Sequence, residues 1–326
     1  MRSALHDVFG DPAEVLHLAE VETPTPGPGK VRVRTLLAPI HNHDLWTVRG
    51  QYGYKPPLPG AIGGTEAVGI VDAVGDGVDA ALVGKRVTVV GVNGTWAEYF
   101  LAPAAGLIPV PAAIPDEAAA QLIAMPFSAV ALLEFLGAKS GDWIVQNTAN
   151  GAVGKVLAML AQARSVNVIN LVRRDAGVAE LEALGITNAV STAAPEWKAK
   201  VRALTGGAKL IAGVDSVGGA AASDLLDLIG DDGLLVSFGS MTGEPMQVPS
   251  GPLIFKQITI KGFWMSKVGA AMSPADRARA IGELIGLVAK GDIKLPVEGV
   301  FALADITAAV KASLTPCKSG KVLLKP

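Results

Sequence analysis

A glycine-containing turn at residues 147–154 has the spacing of a phosphate-binding loop. The segment reads NTANGAVG, so Ala149, Gly151 and Gly154 form an A-x-G-x-x-G pattern. The central glycine lets the backbone approach a pyrophosphate, and the last one lets a helix pack closely on a strand. The strand-like run WIVQ precedes the turn, and a helical pattern follows it. This order predicts a dinucleotide site at a helix N-terminus, formed by Asn147, Asn150, Gly151, Ala152, Val153 and Gly154.

The next predicted strand, 167–172, indicates which dinucleotide is bound. NAD sites usually carry an acid at the end of this strand, about 20 residues past the glycines. Here the strand ends in Arg173 and Arg174, whose guanidinium groups attract a 2′-phosphate. A pair of solvated surface arginines is the alternative, and the neighbouring Asp175 works against the first interpretation. We predict NADPH as the cofactor and add Gly239, just after the predicted strand 234–238, to its binding residues.

The histidines could in principle bind a metal. His41 and His43 form an H-x-H pair that we place on a strand, but a zinc site needs at least one more ligand. The remaining histidines are His6 and His17, and Thr65 stands before Glu66 where a zinc enzyme of this domain order has a histidine. The single cysteine, Cys317, permits neither an internal disulfide nor a thiolate cluster, and we interpret it as structural or incidental. The sequence predicts no metal site.

Tyr52 is the candidate proton donor. It lies in the segment GQYGYKP at residues 50–56, which is rich in glycine and bounded by proline. A phenol can protonate a developing enolate, but it is also a common neutral packing residue. Spacing alone leaves both roles open.

Composition limits the classes of protein to consider. The chain has 326 residues, of which 50% are hydrophobic and 18% charged, which predicts two globular domains. With a net charge of -2, the chain lacks the excess of positive charge that would indicate nucleic-acid binding. The longest apolar stretch, 122–133, contains Pro126 and Ser128, so we expect no membrane span. We find no signal peptide pattern and expect a cytoplasmic protein.

Two patterns of secondary structure divide the chain. The first 118 residues predict a β-rich fold, and strands then alternate with helices, which predicts a parallel sheet covered on both faces. A capping box at 273–276 begins another helix, which Gly291 ends. The other predicted elements are strands 31–36, 67–74, 86–92, 97–101, 143–146, 210–215 and 321–324, and helices 153–164, 177–184 and 306–314.

Together these motifs resemble the zinc-free branch of the medium-chain dehydrogenase/reductase superfamily, in particular the mitochondrial-type 2-enoyl thioester reductases. The resemblance runs almost end to end, and its most specific parts are the Tyr52 loop and the segment from Leu253 to Trp264. It implies an α/β fold: a GroES-like β-rich catalytic domain split into 1–118 and 267–326, and an inserted Rossmann domain, a doubly wound parallel sheet, at 119–266. Its other motifs are API with Asp44, GGTE at 63–66, GTW at 94–96, QNTAN at 146–150, Val172 with Arg173, and VGG at 217–219.

The resemblance also implies roles for single residues. Tyr52 corresponds to the family's active-site tyrosine, Phe263 and Trp264 to an aromatic pair lining the acyl and nicotinamide cleft, and Arg173 to the 2′-phosphate ligand. Two departures stand out: the order of Arg174 and Asp175 is reversed, and HNH replaces an asparagine–proline–small-residue run at 41–43. The family asparagine's polar contact then falls to His41. The implied catalytic residues are Tyr52, His41 and Trp264.

The function implied is NADPH-dependent reduction of the C=C bond of an enoyl-CoA or enoyl-acyl-carrier-protein, without a membrane or nucleic-acid partner. A quinone or general enone reductase is the nearest alternative. A crystallin-like nucleotide-binding protein without turnover and a zinc dehydrogenase are the others. By analogy we expect a homodimer, joined through the segment 258–262.

Overall fold

A computed structural model describes residues 1–316 and 318–326, so Cys317 and its predicted structural role lie outside the described residues. The chain forms two compact units. The first comprises 1–124, 284–291 and 295–326, and the second comprises 125–283 and 292–294.

The strands, in chain order, are β1 Arg2–His6, β2 His17–Glu20, β3 Lys30–Pro39, β4 Ala61–Ile62, β5 Glu66–Val74, β6 Arg86–Val90, β7 Tyr99–Pro103, β8 Ile108–Pro109, β9 Trp143–Gln146, β10 Asn167–Val172, β11 Ala189–Ser191, β12 Leu210–Asp215, β13 Leu234–Ser237, β14 Thr259–Gly262, β15 Val297–Ala302 and β16 Lys321–Lys325.

The α-helices are α1 Pro12–Val15, α2 Asn42–Val48, α3 Asp116–Ala119, α4 Ala124–Leu136, α5 Ala152–Ala163, α6 Asp175–Ala183, α7 Trp197–Thr205, α8 Ala220–Leu228, α9 Ser250–Phe255, α10 Met265–Ala271, α11 Pro274–Lys290 and α12 Ile306–Leu314. None of the described helices combines the length and the apolar character that a bilayer crossing requires.

The first unit is built on a seven-stranded sheet. Six strands follow the order β15-β16-β3-β5-β6-β8, and β7 pairs with β3. The pairing of β16 with β3 brings Leu324 opposite Ala38 and so unites the two ends of the chain in one sheet. Trp96 is fully buried in this unit and donates its indole N–H to the Pro39 carbonyl at 3.0 Å. A Cβ on Gly63 would lie 2.2 Å from the Trp96 ring, so only glycine fits there.

The second unit is a six-stranded parallel sheet with the order β11-β10-β9-β12-β13-β14. Its central strands are almost entirely buried, as parallel strands between two layers of helices must be. The bounds predicted for β9, β10 and β12 are confirmed residue for residue.

Helix α11 begins as the sequence predicts. Ser273 Oγ accepts a hydrogen bond from the Asp276 N–H at 3.1 Å, and Gly291 follows the last residue with a φ of +81°. Most of this helix belongs to the second unit, because Arg164 of α5 forms an ion pair with Glu283 at 2.6 Å and Arg279 forms one with Glu134 of α4 at 2.8 Å. The units therefore divide at 124/125 and 283/284, whereas the domain boundaries expected from the sequence were 118/119 and 266/267.

Candidate functional site

The glycine turn of the second unit joins β9 to α5. A Cβ on Gly154 would lie 2.7 Å from the Ala149 carbonyl oxygen and 2.8 Å from the Ala149 Cα, so the helix can approach the strand only with glycine there. Helix α5 follows Gly151, which as a glycine has no side chain to cap the helix N-terminus. The first N–H groups of a helix have no partner within it, and the helix dipole favours negative charge at that end. The turn thus offers backbone donors to a phosphate.

The two asparagines of the turn form hydrogen bonds with other residues of the second unit. Asn147 donates to Asp215 Oδ1 at 2.6 Å and accepts from the Ser216 N–H at 2.7 Å, which ties the end of β9 to the end of β12. Asn150 donates to Glu180 of α6 at 3.4 Å, and Glu180 also holds Lys155. Both asparagines therefore fix the shape of the turn.

Three further residues predicted to bind the cofactor lie at the same ends of the parallel strands. Arg173 and Arg174 are exposed directly after β10, and within the described part of the chain neither forms an ion pair. Gly239 follows β13 and donates its N–H to the Asp215 carbonyl at 3.2 Å. A Cβ there would lie 3.3 Å from the Ser216 carbonyl oxygen, so a larger residue would crowd this strand end.

The predicted aromatic pair splits into a buried and an exposed residue. Phe263 is 7% exposed and packs edge-on against Phe135 at 5.4 Å, with Phe238 at 5.7 Å on another side. Trp264 is 55% exposed at the start of α10. In the second unit, then, Phe263 is a packing residue and Trp264 has its ring available for a ligand.

Tyr52 of the first unit lies in a loop whose shape depends on a close contact between Gly50 and the Phe9 ring. Gly50 has a φ of +71°, and a Cβ there would lie 2.9 Å from the Phe9 ring, so the chain can turn at this point only with glycine. The Tyr52 ring then lies beside His43, with the ring centroids 5.7 Å apart and an interplanar angle of 33°.

The H-x-H segment does not form a strand. His41 precedes α2 and His43 lies in the first turn of that helix, because Asp44 accepts the His41 backbone N–H at 2.9 Å and so caps the helix start. His43 stacks on His41 with centroids 5.1 Å apart. The prediction of a strand here was wrong because a carboxylate three residues after His41 satisfies the helix N-terminus.

His41 has no surface for a direct contact with substrate. Its side chain is 0% exposed, and its Nε2 lies 2.8 Å from Glu66 Oε2. Its Nδ1 has no hydrogen-bond partner among the described residues. A neutral ring that donates Nε2–H to Glu66 leaves only a lone pair unpaired at Nδ1, and burial accordingly lowers the pKa of His41 well below its usual value. This geometry does not support the predicted contact between His41 and substrate.

Glu66 and Lys321 complete this buried polar cluster. Glu66 Oε1 accepts the N–H groups of Ile123 at 2.7 Å and Ala124 at 2.9 Å. Burial nevertheless raises the pKa of Glu66 to about 8, since the charged form loses its hydration. Burial also lowers the pKa of Lys321 to about 8, against the attraction of Asp44 and Glu66. The charges in the first unit's core therefore depend on pH.

This burial predicts a pH-dependent stability for Glu66→Gln. A carboxyl whose pKa is raised in the folded state stabilises the protein below its ordinary pKa of 4.5 and loses that contribution as pH rises towards about 8. Glutamine keeps the acceptor and removes the titration. We expect the variant's free energy of unfolding, relative to wild type, to increase between about pH 5.5 and about pH 7.5, by at most about 1.4 kcal/mol per pH unit. Urea denaturation measures this, with Glu20→Gln as an exposed control, and an unchanged difference would contradict the assignment.

The sequence analysis did not identify Asp44, Thr65 and Lys321 as parts of this cluster. It considered His43 only as a possible metal ligand. The Asp44 carboxylate three residues after His41 was a recognisable capping signal. The contact of His43 with Thr65, 22 residues away in sequence, depends on how α2 packs on β5 and has no local signal.

The donor set does not fit zinc. His41 Nε2 is committed to Glu66, and His43 Nε2 lies 2.8 Å from Thr65 Oγ1. Among the described residues, no three histidine, cysteine, aspartate or glutamate side chains are placed to hold a metal ion together. We derive no step through a metal.

Comparison with known proteins identifies the family. Residues 27–112 match the family model of the alcohol dehydrogenase GroES-like domain, and residues 152–281 match that of the zinc-binding dehydrogenases. The human mitochondrial enoyl-[acyl-carrier-protein] reductase is 31% identical over 99% of this chain and 88% of its own length. The chain belongs to the medium-chain dehydrogenase/reductase family. It is therefore an oxidoreductase with the GroES-like and Rossmann architecture expected above.

Solved structures of other medium-chain dehydrogenase/reductases share the whole fold. Escherichia coli quinone oxidoreductase, complexed with NADPH, matches with a TM-score of 0.88 at 26% identity and covers 100% of both chains. A Pseudomonas syringae quinone oxidoreductase matches with a TM-score of 0.86 at 27% identity, covering 100% of this chain and 99% of its own. The relatives thus include both enoyl and quinone reductases, so family membership alone does not choose the substrate.

Proposed function

We propose that this protein catalyses the NADPH-dependent reduction of the C=C bond of a 2-enoyl thioester carried on coenzyme A or acyl carrier protein. The observation that carries the proposal is Tyr52, a phenol in a glycine-shaped loop whose ring lies against His43 in the first unit. The identity of 31% with a mitochondrial enoyl-[acyl-carrier-protein] reductase over 99% of the chain supports it.

The second unit carries groups that fit a 2′-phosphorylated dinucleotide. The turn at Gly151 and Gly154 offers backbone N–H groups to the pyrophosphate, and the exposed Arg173 and Arg174 follow β10, where the 2′-phosphate is recognised in this fold. When bound, NADPH supplies a hydride to the β-carbon of the substrate. Arg173 and Arg174 select the phosphorylated form by charge.

Tyr52 supplies the proton that completes the reduction. Addition of hydride at Cβ leaves an enolate, and the Tyr52 O–H transfers its proton to Cα, so that the double bond becomes CH–CH and the phenol becomes a phenolate. His41 and Glu66 act as positioning residues, because both side chains are fully buried and the His41 ring stacks on that of His43. General acid catalysis of this kind contributes about 10²- to 10⁴-fold to a rate.

Reduction of a quinone or simple enone is the second candidate. The Escherichia coli structure that matches this chain with a TM-score of 0.88 is a quinone oxidoreductase. Such a substrate needs the same nucleotide groups but does not require Tyr52 to protonate a carbon.

Oxidation of NADPH with crotonyl-CoA, trans-2-decenoyl-CoA and a quinone tests the proposal. We expect turnover of the thioesters, with the saturated acyl product identified by mass spectrometry. Turnover of the quinone alone would replace the proposal with the second candidate. Binding of NADPH without turnover of any of the three would indicate a nucleotide-binding protein that is not an enzyme for these substrates.

We also propose that two copies of the chain pair through β14. This strand is the edge of the parallel sheet. The N–H groups of Thr259 and Phe263 point to the neighbouring strand segment, so those of Ile260 and Gly262 point away from the sheet. A free row of donors and acceptors is a template for pairing with a second strand. Phe255, 85% exposed on α9 just before the strand, adds apolar surface beside it.

Replacing Ile260 with proline is expected to convert the dimer to a monomer. Proline removes one outward N–H and leaves the bonds between β13 and β14 intact. Sedimentation velocity measures the mass, and Lys261→Ala is the control, because it changes a side chain and no backbone donor. A folded Ile260→Pro protein that remains dimeric would exclude pairing through this edge.

A further inference from the structure

His43 lies at the end of a chain of hydrogen bonds that determines which of its nitrogens carries a proton. Thr65 Oγ1 donates to Asp44 Oδ1 at 2.8 Å. A hydroxyl has a single proton, so the Thr65 oxygen can only accept from its other neighbour, His43 Nε2, at 2.8 Å. His43 therefore carries a proton on Nε2, and its Nδ1 is left to gain or release a second one.

Of the two stacked histidines, only His43 has access to solvent. The His43 side chain is 23% exposed, whereas that of His41 is 0% exposed. The exposed ring lies beside Tyr52, with centroids 5.7 Å apart. Of the two rings, the one that water reaches is therefore the one beside Tyr52.

Charged side chains surround His43. Asp44 of the same helix has Oδ1 at 3.4 Å from Nε2, and Glu66 of β5 lies beyond the stacked His41 ring. Lys321 of β16 is the opposing cation, and it lies among the same two carboxylates. Among the described residues, these groups with Tyr52 and His41 are the titratable neighbours of His43 on the helix, the sheet and the loop.

We propose that His43 returns a proton to Tyr52 after each turnover. The step rests on the proposed function, in which Tyr52 gives its proton to the α-carbon. The imidazolium of His43 then transfers the Nδ1 proton to the phenolate, which becomes a phenol again, and the neutral imidazole takes a proton from water. Asp44 and Thr65 hold the ring in place throughout through its Nε2–H. No oxidant or reductant takes part.

A pair of substitutions separates this role from a structural one. In His43→Gln the side-chain amide can replace Nε2–H as the donor to Thr65, but it cannot titrate. In His43→Ala both the donor and the titration are lost. If His43 serves only as the hydrogen-bond donor to Thr65, His43→Gln should keep the activity that His43→Ala loses. If His43 supplies protons, the two variants should lose activity equally.

We expect both variants to lower kcat for crotonyl-CoA by about 100-fold, with KM for NADPH unchanged and with the titration of His43 absent from the pH profile of kcat. Added imidazole should restore part of the rate to His43→Ala. His17→Gln, on the exposed start of β2, is the control, and thermal unfolding verifies that each variant is folded. A His43→Gln enzyme with wild-type kcat and pH profile would overturn the proton-supply role. A wild-type enzyme inactive on thioesters would overturn the proposed function and this inference with it.

Discussion

Replacing Tyr52 with phenylalanine is expected to lower kcat for enoyl thioester reduction by about 100-fold or more. The substitution removes one oxygen and keeps the ring, so the stacking beside His43 survives while the proton donor is lost. The measurement is steady-state NADPH oxidation with crotonyl-CoA. KM for NADPH should not change, because the residues proposed to bind the nucleotide all lie in the second unit.

Tyr54→Phe is the matched control for this prediction. Tyr54 lies in the same loop, is more exposed and has no ring partner among the described residues. We expect its kcat to equal that of wild type. Equal losses in both variants would mean that the loop needs polar side chains in general. Full activity of Tyr52→Phe would leave water as the proton source and remove Tyr52 from the mechanism.

Replacing Arg173 with alanine is expected to raise KM for NADPH by about 10- to 100-fold and to leave KM for NADH unchanged. A hydrogen bond to a charged group contributes about 1.5–3 kcal/mol, which corresponds to a factor of this size. Arg173 is exposed after β10 and forms no ion pair within the described residues, so its loss should not disturb the fold.

Two other arginines sharpen this test. Arg174→Ala reports whether the second guanidinium shares the phosphate, and Arg202→Ala on α7 controls for a general loss of positive charge. Kinetics with both nucleotides give the ratio of kcat/KM for NADPH to that for NADH. This ratio should fall in Arg173→Ala, and it should also fall in Arg174→Ala if the second guanidinium shares the phosphate. An unchanged ratio in both would place the 2′-phosphate elsewhere.

The sequence predicted the second unit more accurately than the first. Strands β9, β10 and β12 are short runs rich in β-branched or large apolar residues, and their burial on both faces makes such runs continuous. In the first unit, helix α12 was nevertheless predicted with its observed bounds, 306–314. Helix α2 was not predicted, because its start depends on a capping carboxylate and not on apolar periodicity.

The sequence indicated many of the residues of the candidate site but only some of the contacts between them. The glycine turn was predicted from its spacing because its chemistry is local, whereas the role of Tyr52 was predicted from the family resemblance. The bond between His41 and Glu66 joins residues 25 positions apart through the packing of α2 on β5, and no periodicity encodes it. The burial of His41 therefore supports a positioning role for it, and the bond of His43 to Thr65 depends on the same packing.

The pairing of β16 with β3 has a consequence for synthesis on the ribosome. The strand that closes the main sheet of the first unit comes from the last residues of the chain, and Leu324 pairs with Ala38. All strands of the second unit are translated before β16 exists. The second unit can therefore complete its sheet while the first still lacks a strand. Ala38 and Pro39 at the end of β3 have no partner strand until β16 is made, whereas β5 and β7 pair with residues 30–37. Chaperones that shield exposed strand edges should accordingly engage the nascent chain at the end of β3.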